Sequence, residues 1–294
     1  MKLRLKGLLF NMNKVIVLAD STVDLSKELY EKYDIKMIPL SVNFGEESYK
    51  DSVDITPEEV YEKVKDGAPL PSTAAIAPAV FKECLEKYIN DGYDVVYVGI
   101  GSKLSTTYQN FLIAISELPE GRCYAVDSNS LSSGSGLLAL KMAKLRDEGK
   151  SAKEIYEEVQ PLAAKLSAKF VLDRLDYMRK GGRCSAIVAL FGHLLHIHPI
   201  LIMKDGKLIV EKKPRGPIKK AYQEMLDELK SDLPNIDFDH VMITHAGVNK
   251  EDLDYLYNEV AKLVDPNIIS ITRAGCVVSS HCGYGTIGIL YIKK

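Results

Sequence analysis

The stretch Val15-Ile16-Val17-Leu18-Ala19-Asp20-Ser21-Thr22 decides the fold. Five apolar residues in a row predict a strand buried on both faces, because a half-exposed strand would alternate apolar and polar residues. Asp20-Ser21-Thr22 closes it, and a helical pattern follows over 26–33. A second strand is expected over 37–44. Thr56-Pro57-Glu58-Glu59 opens a helix, with Thr56 as cap, Pro57 at the first position and Glu59 completing a capping box. Residues 69–73 read as a loop, and a helix runs from Pro78 to about residue 90. The strand-then-helix unit recurs twice more, as strand 94–100 with helix 105–118, and strand 122–126 with a Leu- and Ala-rich helix to 148. Strands joined by helices imply right-handed crossovers and a mostly parallel sheet.

Beyond residue 165 the pattern changes. Ser151-Ala152-Lys153-Glu154 is a capping box, and its helix is expected to reach about residue 168. Arg179-Lys180-Gly181-Gly182-Arg183 interrupts the chain, and an apolar helix is expected through 195. Segments 199–203 and 208–212 flank Asp205-Gly206 and read as a hairpin. Helices are expected over 217–229 and 250–264, with strands over 240–245, 268–272 and 286–292. The fold class is therefore α/β in two domains, an N-terminal α/β domain (12–165) with a mostly parallel sheet and a C-terminal α+β domain (166–294).

The composition excludes several classes. The 294 residues carry 38 Lys+Arg and 40 Asp+Glu, so 38 − 40 gives a net charge of −2. That is no footprint for a nucleic-acid binder. Apolar residues at 46% and charged residues at 27% are globular values and argue against disorder. The runs 95–100 and 187–195 are too short to span a bilayer, so no stable membrane insertion is expected. Five cysteines without a tight framework fit a reduced, cytoplasmic protein. Lys2, Arg4 and Lys6 before Gly7-Leu8-Leu9-Phe10 resemble a signal peptide only superficially, and translation, or at least the ordered fold, is expected to begin near Met12.

In parallel sheets ligands bind beyond the carboxyl ends of the strands. Three of these ends carry hydroxyl-rich loops: Asp20-Ser21-Thr22, Gly101-Ser102-Lys103-Leu104-Ser105 and Asp127-Ser128. Taken singly, each is an ordinary helix cap. Gly283-Tyr284-Gly285-Thr286-Ile287-Gly288 matches G-x-G-x-x-G, but a strand rather than a helix follows, which rejects a dinucleotide site. His193, His196 and His198 have spacing that two zinc ligands can use, yet no carboxylate or thiol completes the set and Pro199 interrupts it. Cys276, His281 and Cys282 lack the usual Cys spacing, so no metal is expected. Ser102 or Ser105 with His281 could form a nucleophile and base, without an evident orienting group.

The ordered landmarks together resemble the DegV family of fatty-acid-binding proteins, which includes the binding subunit of bacterial fatty acid kinase. Asp20-Ser21-Thr22-Val23-Asp24-Leu25 looks like D-S-T-x-D-L, with Ile38-Pro39-Leu40 in the second strand. Pro71-Ser72-Thr73, Pro78 and Phe81 look like P-x-T-S-Q-P-S-P-x-x-F. Residues 102–109 are similar to S-x-L-S-G-T-Y-Q. Lys180-Gly181-Gly182-Arg183 matches K-G-G-R, and Pro199-Ile200-Leu201 with Asp205-Gly206-Lys207 matches K-P-I-L…D-G-K. Arg215-Gly216 before Lys219-Lys220-Ala221 also fits, and residues 281–288 look like H-x-G-P-G-x-x-G. The departures are Ala74-Ala75-Ile76, Thr106, His198 and Tyr284.

The resemblance implies a long-chain fatty acid in a tunnel between the two domains. Its carboxylate would be held by Thr73, Ser102, Ser105 and His281. Phe170, Ile187, Leu190, Phe191 and Leu194 are candidate tail lining. At about 0.8 kcal/mol per buried CH₂, a sixteen-carbon tail offers more than ~10 kcal/mol before binding costs. The resemblance also implies a carrier rather than an enzyme. It needs no cofactor and presents its lipid to an ATP-dependent kinase partner for acyl phosphate formation, with Arg183 and Arg215 contacting partner or head group. A Ser-dependent acyl hydrolase and a module for another amphipathic or phosphorylated ligand are the alternatives.

Overall fold

In the computed structural model, the described residues are 14–185, 187 and 197–294. The expected helix through 195, including Leu190, Phe191, His193 and Leu194, lies outside them but for its first residues, as do His196 and the expectation at Met12. A four-stranded parallel sheet is built from β1 (Lys14–Asp20), β2 (Ile35–Ile38), β6 (Tyr93–Val98) and β7 (Cys123–Val126), in the order β2-β1-β6-β7. Between β2 and β6 the chain adds an antiparallel sheet of β3 (Ser41–Phe44), β4 (Glu47–Lys50) and β5 (Ser72–Ala74), ordered β4-β3-β5. The strand expected over 37–44 is thus two strands in two sheets. Pro39 lies at the break, where its missing N–H cannot join a ladder. Segment 72–74, read as loop, pairs with β3.

The third sheet is mixed and six-stranded, in the order β10-β9-β8-β13-β11-β12. Its strands are β8 (Leu166–Val171), β9 (Ile200–Lys204), β10 (Lys207–Lys212), β11 (Ile236–His245), β12 (Ile269–Arg273) and β13 (Ile287–Lys293). Only β11 and β12 run parallel. The helix expected to reach 168 ends at Val159. Pro161 follows, a 3₁₀ turn spans Gln160–Lys165, and Leu166 begins β8. The turn Asp205-Gly206 joins β9 to β10 with positive φ at both residues (50° and 73°), the geometry of a two-residue hairpin. The G-x-G-x-x-G string leads into β13, as expected.

The helices that matter for the site are α1 (Lys27–Lys32), α2 (Pro57–Lys65), α3 (Pro78–Asn90), α4 (Thr107–Ile115), α5 (Ser133–Asp147), α6 (Ala152–Val159), α7 (Asp176–Gly181), α8 (Lys219–Asp232), α9 (Lys250–Ala261) and α10 (Cys276–Cys282). Helix α5 is apolar nearly all round and buried along most of its length, as such a helix must be. It packs on β1 and β6 of the parallel sheet and on β11 and β13 of the mixed sheet. One core therefore joins Val17 and Val96 to Met242, Leu290 and Ile292 across Leu138 and Met142. Helix α10 was not anticipated. It comes late in the sequence, yet Cys276 and Val277 pack into the core of the first sheet with Leu40, Val42 and Ile55.

Candidate functional site

The site is built where the strand-end loops of the parallel sheet meet α10. Asp20, at the end of β1, is fully buried. It accepts hydrogen bonds from Thr22 N (2.9 Å), Thr22 Oγ1 (2.5 Å), Tyr97 Oη (2.9 Å) and Ile100 N (3.0 Å). Those bonds fix the loop that leaves β6. Burial raises the Asp20 pKa, outweighing the four donors. Along this loop Ser102 donates its hydroxyl to Asp127 Oδ2 (2.5 Å), and its backbone N–H donates to Oδ1 (3.0 Å). Ser105 Oγ accepts from Thr107 N (3.2 Å) at the start of α4 and shares a hydrogen bond with Thr107 Oγ1 (2.9 Å). Ser105 thus stands at a helix N-terminus, where the dipole favours an anion.

Two buried carboxylates hold the other wall. Asp24 accepts from Gly275 N (2.7 Å) and from the Ser132 hydroxyl. Asp51 accepts from Cys276 N (2.6 Å), Ser52 Oγ (3.0 Å) and Ser21 Oγ (2.8 Å). Together they cap the N-terminus of α10, satisfying donors that have no partner within the helix. Burial drives the Asp24 carboxyl well above its usual range. The D-S-T-x-D-L stretch is therefore an anchor for α10 rather than a lining of the cavity.

Helix α10 delivers His281 in its last turn. Its Nε2 is 2.9 Å from Thr73 Oγ1 on β5. Its Nδ1 is buried, has no hydrogen-bond partner among the described residues, and faces Gly181. A Cβ at Gly181 would lie 2.2 Å from that nitrogen, so the close approach requires glycine. Burial, then the nearby Arg183 charge, pushes the His281 pKa down to about 4. The ring is neutral at pH 7.

A cavity of about 390 Å³ opens between these walls. Thr73, Ser102, Ser105, His281 and Arg183 all line it, so five of the six candidate residues converge. Arg215 does not: it is exposed, and its backbone bridges Ile197. Arg183 donates to Gly181 O (2.7 Å) and closes the end of α7. Leu40, Leu131, Met178, Leu208 and Val278 supply apolar wall. Among the described residues no Asp or Glu lines the cavity, whereas two cations, Lys103 and Arg183, do. A smaller cavity of about 30 Å³ shares Leu131, Val278 and Cys282 with the first and is also lined by Phe170 and Leu290. Ile187 is buried in the adjoining core. Sequence reading missed Lys103 and the carboxylates Asp24 and Asp51. Asp24 carried a signal as part of the D-S-T-x-D-L stretch, whereas Asp51 stood in no motif.

The departures divide by location. Ala74, Ala75 and Thr106 line the cavity. Ile76 is core, and Tyr284 lies outside the lining, edge-on to Tyr61 with ring centroids 5.9 Å apart. His198 Nδ1 is 3.5 Å from Asp173 Oδ1. The nucleophile-and-base pairing is not formed, since His281 bonds Thr73, Ser102 bonds Asp127 and Ser105 bonds Thr107. Among the described residues no carboxylate orients Nδ1 of His281. Among the described residues no group of three or more His, Cys, Asp or Glu could hold a metal, and no helix is long and apolar enough to cross a membrane. Cys276 and Cys282 sit at opposite ends of α10. Burial raises both thiols, that of Cys282 to about 12.

Comparison with known proteins places the chain in a family. Residues 14–294 match the family described as uncharacterised protein, DegV family. A DegV domain-containing protein from Clostridium acetobutylicum is 34% identical over 284 residues, covering 96% of this chain and 100% of its own. A structure described as showing fatty acid binding of a DegV family protein from Thermus thermophilus superposes with a TM-score of 0.87 at 29% identity. It covers 96% of this chain and 100% of that one. DegV from Bacillus subtilis, described as a fatty acid binding protein, gives a TM-score of 0.82 at 29% identity, with 96% and 100% covered. A stearic acid-binding protein from Eubacterium ventriosum gives 0.82 at 26% identity, with 96% and 99% covered. The protein belongs to the DegV family.

Proposed function

We propose that this protein is a non-covalent carrier of a long-chain fatty acid, with no catalytic role of its own and no cofactor. The observation that carries the reading is the chemistry of the larger cavity. Among the described residues, hydroxyls, a neutral histidine and two cations face it, no acid does, and apolar walls continue behind. That set suits an anionic head on an apolar tail. With Nε2–H donating to Thr73, only a lone pair is left at the unpartnered Nδ1, and the Thr73 proton is free for a carboxylate oxygen. Ser105 accepts from a backbone N–H and, with Thr107 Oγ1 donating to it, keeps its own proton to donate. Ser102 can donate only by turning from Asp127. The tail would run past Leu131 and Val278 towards Phe170. The similarity to proteins described as fatty acid binding supports the same assignment.

In this reading the lipid is presented to an ATP-dependent kinase subunit in the cytoplasm. The partner would transfer the terminal phosphoryl group of ATP to a carboxylate oxygen, releasing ADP and leaving an acyl phosphate. Arg183 at the cavity and exposed Arg215 are the proposed head-group and partner contacts. We take 12–165 and 166–294 as the two domains between which the ligand lies. The test is mass spectrometry of an organic extract from purified, never-lipidated protein, alongside its native mass. A fatty acid near one mole per mole of protein is expected. No bound lipid, together with no uptake of added hexadecanoate, overturns the reading.

A further inference from the structure

We propose that Lys103 reads the charge of the ligand head group and latches the β9–β10 hairpin over the cavity. The inference rests on the carrier reading. Lys103 lies between Ser102 and Leu104 on the cavity wall, within the head-group loop. Its Nζ donates to the backbone oxygen of Asp205 at the hairpin tip (2.6 Å). Among the described residues no carboxylate forms an ion pair with it, and the acceptor it meets at the hairpin tip is a neutral carbonyl. The tip is held closely: a Cβ at Gly206 would lie 2.8 Å from Asn129 Oδ1 and 3.2 Å from Lys103 Cδ. Two residues beyond the tip, Leu208 lines the cavity. One long, flexible cation therefore connects the hairpin of the mixed sheet to the head-group loop of the parallel sheet.

A lysine ammonium is a mobile point charge and follows the strongest anion within reach. A singly charged carboxylate already has Thr73 and Ser105. A phosphoryl head carries nearly a second charge and three acceptor oxygens. Such a head draws Lys103 from Asp205 and frees the hairpin tip. The residue thus favours the phosphoryl-headed amphiphile over the free acid and couples its arrival to loosening of the lid.

The test compares hexadecanoate and hexadecyl phosphate on delipidated full-length protein at about pH 8, where the phosphate is dianionic. Wild type is expected to bind hexadecyl phosphate more tightly than hexadecanoate. Lys103→Met should lower that ratio about tenfold, and Lys103→Arg should restore it. In wild type, hexadecyl phosphate but not hexadecanoate should speed amide exchange at Gly206 and Lys207. Failure of wild type to bind either amphiphile overturns the carrier reading and this inference with it. Normal hexadecanoate binding with an unchanged ratio in Lys103→Met overturns this inference alone.

Discussion

Gly181 and His281 meet so closely that neither can be changed without the other responding. In most helices Gly→Ala is stabilising by up to about 1 kcal/mol. Here the added methyl would fall 2.2 Å from Nδ1, and the ring would have to leave Thr73. Gly181→Ala should therefore lower thermal stability and reduce retained lipid several-fold, read by a thermal scan and lipid extraction of one preparation. No change in either would show that the ring is not pinned there. The same imidazole sets a pH dependence. Its folded pKa is about 4, whereas the unfolded chain titrates near 6.5. The contribution is fully present above about 6.5 and is lost as pH falls from there to about 4, because the unfolded state takes up the proton first. The shift corresponds to ~3 kcal/mol over that window. His245, also pushed to about 4, and Asp24, shifted in the opposite sense, remain in both proteins of a comparison. His281→Phe should thus be the flatter of the two in a plot of unfolding free energy against pH, and parallel curves would refute the assignment.

Helix α10 owes its start to side chains far away in sequence. Gly275 N and Cys276 N donate to Asp24 and Asp51, 251 and 225 positions removed. Hydrogen bonds to a charged acceptor contribute about 1.5–3 kcal/mol each, and burial adds the cost of the orphaned donors. Asp51→Ala should cost about 3 kcal/mol by denaturant unfolding and displace His281, lowering lipid retention as well. Asp51→Asn, which keeps an acceptor for Cys276 N, should recover part of both. Equal losses in the two variants would mean that bulk, not the cap, matters. This distance explains what the sequence left hidden. Residues 276–282 carry two valines, two serines and two cysteines, with no local cap and no strong helix former, so their helicity is tertiary. By contrast β1, the helix from Pro78 and the Asp205-Gly206 hairpin were legible because apolar run, proline position and turn chemistry are local signals. Strand β8 was obscured by the capping box ahead of it, whose helix Pro161 cuts short. Ser102 and Ser105 were legible locally as a hydroxyl-rich loop at a strand end, whereas Thr73, and His281 as its neighbour, were legible only as a family pattern. That Ser102 is already bonded to Asp127, or that Lys103 reaches Asp205, depends on side-chain placement that no local pattern encodes.

At the scale of the whole molecule, the parallel and the mixed sheet share a core rather than merely touching. Helix α5 buries Leu138 and Met142 between strands of both sheets, and α10 carries residues of the later sequence into the core of the first sheet. Chains of two domains commonly unfold in separate steps. Here neither sheet can lose α5 without exposing its own apolar face, so calorimetry of delipidated protein should show one transition. The cavity strengthens that coupling, since Thr73 and Ser105 come from the first part of the chain and Met178 and His281 from the second. A ligand seated there binds only when both parts are folded. At one hundred times its dissociation constant it should add about 2.7 kcal/mol. Saturating hexadecanoate should therefore move the single transition upward as one peak. Two peaks in the delipidated protein, with only one displaced by lipid, would mean that the cavity belongs to one part alone and that α5 does not bind the two into a single folding unit.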